Sequence, residues 1–264
     1  MELDDAYANA AHIPGAEAYP EKWRTAAEGF RAQARCELDL PYGEHPREVF
    51  DLFHPERSSL GLIVFVHGGY WMRFSKDDFS HLAAGPVAQG WSVALPSYPL
   101  APERRLREIG FSVRKAVDQI ARRMVGPVVL TGHSAGGQAV LRLGCRNTRV
   151  EVRNRIARIV AISPVADLRP LMRTSMNETL KIDDEEAKRE SPMLRRKKQG
   201  IDVTVWVGAK ERPAFLDQAE DMAKAWDVEH VVDPGRHHFD VIEGLEDPES
   251  AVVRALVGER IAVG

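Results

Sequence analysis

From about residue 60 onward the chain alternates between short, uninterrupted apolar runs and longer amphipathic stretches. Leu62-Ile63-Val64-Phe65-Val66 contains no polar position, the composition of a strand covered on both faces. Trp91–Leu95, Val128–Leu130, Ile159–Ile162, Val203–Val207 and Glu229–Val232 read as further strands. Between and after them, helices are expected over Asp77–Gln89, Glu103–Met124, Ala135–Leu143, Arg212–Trp226 and Pro248–Ile261. Within Glu103–Met124 the apolar residues Leu106, Ile109, Val113, Val117 and Ile120 recur at steps of three or four, which is one face of a helix. Strand and helix in strict alternation specify an α/β architecture: a mostly parallel central sheet with helices on both faces.

The upstream third differs. Apolar and polar residues alternate in Arg35–Leu40 and again in Val49–Phe53, with Pro41-Tyr42-Gly43 between them. That pattern predicts an antiparallel N-terminal hairpin of half-buried strands at one edge of the sheet. A helix-like run covers Glu21–Gln33, and the residues before it are poorly patterned. No domain boundary is evident, so residues 1–264 are read as a single domain, with 1–33 an N-terminal segment contributing to a cap over the site. The mixed charges of Asp183–Lys198 read as a solvated helix and loop. With 264 residues, 44% of them hydrophobic, the chain can bury a core without staples.

Charge excludes two partner classes. A net charge of -3 and a pI near 6.3 leave no basic surplus for nucleic acid or an anionic membrane surface. No apolar run approaches the roughly 20 residues of a membrane span. The residues Met1-Glu2-Leu3-Asp4-Asp5 hold neither the basic nor the apolar part of a secretory signal. Cys36 and Cys145 are far apart and read as reduced thiols. The expectation is a cytoplasmic protein whose partner is a small molecule; a homodimer is an assembly the sequence allows.

Two motifs carry chemistry. Gly132-His133-Ser134-Ala135-Gly136 directly follows an apolar strand and directly precedes a helix-forming run. A Gly-x-Ser-x-Gly at a strand–turn–helix junction is a nucleophile elbow, which makes Ser134 the candidate nucleophile. The following helix aims its N-terminus at the site, favouring developing negative charge. Neither the Gly-x-Gly-x-x-Gly nor the Lys-Ser/Thr of a phosphate loop is present. The second motif, His67-Gly68-Gly69-Tyr70-Trp71, follows the strand Leu62–Val66. It predicts an oxyanion hole made by the backbone N–H groups of Gly69 and Tyr70 with that of Ala135. His67 is expected to hydrogen-bond its own loop.

In this chain order the acid precedes the base. His230 sits in a strand-like run and reads as structural, which leaves His237 or His238, in the turn after the last strand, as base; the local residues alone favour neither. Gly208–Pro213 follows the strand Val203–Val207 and contains one carboxylate, Glu211, the candidate acid. Asp167, after the preceding strand, is the fallback, and Asp217 lies a helical turn beyond. Tyr70, Trp71 and Phe74 are candidate substrate-lining aromatics, with core or loop packing as the alternative. No His/Cys/Asp cluster has ligand spacing, so neither a metal nor an organic cofactor is expected.

Taken together the chain resembles the α/β-hydrolase type of kynurenine formamidase (arylformamidase). The resemblance rests on His67-Gly68-Gly69-Tyr70-Trp71, Gly132–Gly136, Asp167-Leu168-Arg169-Pro170-Leu171, Ser191-Pro192, Glu211-Arg212-Pro213-Ala214-Phe215 and His238-Phe239, and it extends from about residue 20. It implies the α/β-hydrolase fold, Glu211 as acid and His238 rather than His237 as base. The implied reaction is hydrolysis of N-formyl-kynurenine to formate and kynurenine. Two positions depart from the animal enzymes: the acid is Glu where they have Asp, and residue 138 is Gln where they often carry His. A carboxylesterase acting on short acyl esters is the alternative, and a non-catalytic binding protein on the same scaffold is a third reading.

Overall fold

A computed structural model describes residues 1–258. Eight strands form one sheet: β1 (Cys36–Pro41), β2 (Val49–Phe53), β3 (Leu62–Val66), β4 (Ser92–Pro96), β5 (Val128–His133), β6 (Ile156–Ile162), β7 (Asp202–Gly208) and β8 (Glu229–Asp233). Their order is β1-β2-β4-β3-β5-β6-β7-β8. β3 to β8 run parallel, while β2 is antiparallel to both β1 and β4. The expected parallel sheet with its antiparallel N-terminal edge is therefore present.

The described helices are α1 (Asp4–Tyr7), α2 (Tyr19–Arg31), α3 (Ala84–Ala88), α4 (Leu106–Arg122), α5 (Ala135–Leu143), α6 (Asn177–Leu180), α7 (Asp184–Glu190), α8 (Pro213–Trp226) and α9 (Ala251–Val257), with short 3-10 turns between them. Successive residues of β3 supply opposite faces of the sheet. Leu62, Val64 and Val66 belong to the buried cluster that includes residues of α4, α5 and α8, whereas Ile63 and Phe65 belong to the one that includes Trp23 of α2 and Val252, Val253 and Leu256 of α9. All five are buried, which accounts for the absence of polar positions in that strand. Among the described residues no helix is long and apolar enough to cross a membrane.

Two expectations need correction, and a third reaches past the described residues. The helix expected over Asp77–Gln89 is broken into two 3-10 turns, Lys76–Asp78 and Ser80–Ala83, followed by α3. Pro86 has no N–H to donate back to residue 82, so a helix can contain it only in a first turn; starting afresh at Ala84 places it there. The stretch Asp183–Lys198 is not wholly solvated. Glu186, Ala187 and Glu190 of α7 are buried, and Glu190 is ion-paired to Arg142 at 3.0 Å. The last helix is seen only as Ala251–Val257; the rest of the expected Pro248–Ile261 helix beyond Gly258 lies outside the described residues.

Candidate active site

The elements converge at the carboxyl ends of the parallel strands. Ser134 stands between β5 and α5 with φ 55° and ψ -113°, a conformation a non-glycine residue adopts only under constraint. The constraint is local. Its N–H donates to Ile162 O of β6 at 2.9 Å, and its carbonyl accepts from Gln138 N at 3.1 Å. Gly136, two residues on, packs against the end of β3 so closely that a Cβ there would lie 1.9 Å from Val66 O. Only glycine permits that approach, so the second glycine of the motif is what lets the elbow close.

The loop after β3 turns back through left-handed conformations at Gly69 (φ 102°), Tyr70 (φ 50°) and Trp71 (φ 59°). Gly69 O accepts from Met72 N and Arg73 N at 3.0 and 3.1 Å, which closes the turn. Among the described residues, the N–H groups of Gly69, Tyr70 and Ala135 are donated to no protein acceptor. His67 anchors the loop, as expected. Its ring stacks on Tyr98 at 4.2 Å, its Nδ1 lies 2.8 Å from Gly68 O, and Tyr98 donates its hydroxyl to His67 O. Burial holds the His67 imidazole down at about 3, so the ring is neutral.

The two histidines after β8 separate clearly. His238 is buried, and its Nδ1 lies 2.6 Å from Glu211 Oε2. Its ring sits between Phe215 and His133, with centroid distances of 4.3 and 4.6 Å. His237 turns away: its Nδ1 accepts from Phe239 N and Asp240 N, and its Nε2 meets the Tyr19 hydroxyl at 3.2 Å. Glu211 is held on its other oxygen as well. Gly208 N donates to Oε1 at 2.9 Å, and the Ser163 hydroxyl donates to the same atom. Asp167 is engaged elsewhere, with Arg169 at 2.6 Å and, more weakly, Ser191.

These groups meet a cavity of about 710 Å³ whose walls include Gly68, Gly69, Tyr70, His133, Ser134 and His238. Tyr70 and Phe74 both line it. Trp71 does not. It is 2% exposed, packs in the core on the α4 side of the sheet, and accepts Ala101 N on its carbonyl, so its side chain is core packing. Ala135 is fully buried at the start of α5 and can offer only its backbone. Gln138 is off the cavity, donating to Glu190 O at 2.7 Å, so the departure at that position concerns packing behind the elbow.

Sequence reasoning passed over several neighbours. His133 lines the cavity, and burial, then the neighbouring His238, keeps its imidazole well below its ordinary range. Ser163, the hydroxyl partner of Glu211, has no motif around it; only its place at the end of β6 marks it. The N-terminal segment supplies one wall through Tyr7, Asn9 and Trp23. Tyr7 is seated by an edge contact to Phe215 at 5.8 Å, by Gln218 Nε2 donating to its hydroxyl, and by the Tyr70 hydroxyl donating to its carbonyl at 2.8 Å. A poorly patterned segment gave no signal for this seating.

A family model described as the alpha/beta hydrolase family matches residues 63–258. The kynurenine formamidase of Danio rerio is 31% identical over 89% of this chain and 85% of its own length. That of Salmo salar is also 31% identical, over 86% and 83%. A solved structure from Silicibacter sp. tm1040, described as a candidate thioesterase, is 52% identical and superposes with a TM-score of 0.96 over 98% of this chain and 100% of that one. The chain is thus a hydrolase that belongs to the alpha/beta hydrolase family, in the group related to kynurenine formamidase.

Proposed function

We propose that this hydrolase is an arylformamidase, cleaving N-formyl-kynurenine to formate and kynurenine with Ser134, His238 and Glu211 as its triad. The observation that carries the reading is the buried 2.6 Å contact between His238 and Glu211 at the wall of the cavity that Ser134 also lines. With Nδ1 committed to the carboxylate, Nε2 is the nitrogen left to serve Ser134.

In this mechanism Ser134 Oγ attacks the formyl carbon while His238 Nε2 takes the hydroxyl proton. Glu211 orients the imidazole and stabilises its cation. The oxyanion rests on the N–H groups of Gly69, Tyr70 and Ala135, where each donor is worth about 10²–10³ in rate. The C–N bond then breaks, and His238 returns its proton to the departing aryl amine. Water, deprotonated by the same nitrogen, attacks the formyl ester; formate leaves and Ser134 regains its proton. Tyr70 and Phe74 flank the aromatic leaving group. A cytoplasmic setting accords with the free thiols of Cys36 and Cys145.

A second reading, hydrolysis of esters or thioesters, is favoured by the 52% identity to the Silicibacter protein described as a candidate thioesterase. Measuring kcat/KM on N-formyl-kynurenine, p-nitrophenyl acetate and a short acyl thioester separates the two. The formamide is expected to lead; an ester or thioester preferred by orders of magnitude overturns the formamidase assignment. Ser134→Ala is expected to lose on the order of 10⁵–10⁶ in kcat on every substrate.

A further inference from the structure

The catalytic cavity is lined largely by apolar and aromatic groups, and the lining carries two fully charged side chains: Glu17, in the turn Ala16–Ala18 of the N-terminal segment, and Arg73, in the loop after β3. Both are exposed. Among the described residues neither makes an ion pair or a side-chain hydrogen bond, whereas Arg212 is matched to Asp5 at 2.6 Å. A carboxylate and a guanidinium, from chain segments more than fifty residues apart, are thus the two unpaired charged groups of that lining.

We propose that Glu17 and Arg73 form a subsite for a zwitterionic α-amino acid tail on the leaving group, Arg73 binding the carboxylate and Glu17 the ammonium. A planar guanidinium meets a carboxylate through two parallel N–H···O bonds, and a carboxylate accepts charge-assisted bonds from an ammonium. The apolar and aromatic remainder of the lining suits the ring that carries the tail. This deepens the arylformamidase reading and rests on it, because kynurenine, the amine released in that reaction, has such a tail. It also makes specificity a property of the leaving-group side, with the small formyl side left to the catalytic groups.

The test uses the full chain with p-nitrophenyl acetate as reporter and two competitive inhibitors: kynurenine, and 2-aminoacetophenone, which keeps the ring and ketone and lacks the tail. Kynurenine is expected to inhibit the wild-type protein more strongly. Arg73→Gln and Glu17→Gln are each expected to weaken kynurenine about fivefold or more while moving 2-aminoacetophenone less than twofold, a loss in the range of an exposed charge pair. The charge reversal Arg73→Glu is expected to weaken kynurenine further, and added salt to weaken it selectively. Equal shifts for the two inhibitors, no shift for kynurenine, or no inhibition by kynurenine overturns the subsite. Because the reporter is an ester, failure of the subsite is read separately from failure of the formamidase reading, which the formamide-versus-ester comparison tests.

Discussion

At the scale of single residues, Glu211 is the most informative position. Its carboxylate is buried and shared among Gly208 N, the Ser163 hydroxyl and His238. Glu211→Gln keeps the volume but can no longer stabilise an imidazolium; kcat is expected to fall about 10³–10⁴-fold with KM little changed. Asp167→Asn is expected to leave kcat within about threefold, because that carboxylate is occupied by Arg169. Steady-state kinetics on both variants decides between the two acids, and the reverse pattern moves the acid to Asp167. The choice between His237 and His238 was not legible from local residues, since neighbours in a turn point apart for reasons set by distant partners. Here those partners are Tyr19 for one and Glu211 for the other. Trp71 misled as well: it packs in the core, whereas Tyr70 and Phe74, whose backbones are also left-handed, line the cavity.

At the scale of elements, the strands with no polar residues and the elbow were readable because their requirements are local. A doubly covered strand needs an apolar run, and a strand–turn–helix nucleophile needs small neighbours. Two glycines make the point testable. Gly136→Ala places a Cβ against Val66 O and is expected to cost about 3 kcal/mol or more in urea denaturation. Gly29→Ala, within α2 and with open space around its Cβ, is expected to gain about 0.5–1 kcal/mol. A stabilised Gly136→Ala protein would contradict the packing described for the elbow. What was not readable is the seating of the N-terminal segment. Its anchors, Phe215, Gln218 and Tyr70, are far away in sequence, and short turns leave no periodic trace. The break before α3 follows from Pro86, a signal present in the residues and outweighed by the run of helix formers around it.

At the scale of the whole molecule, two buried imidazoles set part of the acid sensitivity. Burial holds His67 down at about 3 and, with help from the charges of Lys22 and Arg31, His81 at about 4. Unfolding frees both to titrate near 6.5. Between those limits the unfolded chain binds more protons than the folded one, so stability falls as pH drops below about 6.5 and continues to fall toward 4. Each such group contributes up to about 1.4 kcal/mol per pH unit in that window. Stability curves measured from pH 7 to 4.5 are expected to flatten by up to that amount in His67→Gln, whatever its absolute stability; an unchanged slope shows that His67 takes up its proton without unfolding.

The seating of Tyr7 against Phe215 and Gln218 has a consequence for biosynthesis. Tyr7 leaves the ribosome long before the surface that receives it, which exists only once α8 has followed it out, and the imidazole at 238 emerges later still. A nascent chain that stops short of that point therefore has neither a closed pocket nor the His238–Glu211 pair, and the cavity is completed in a single late step of translation.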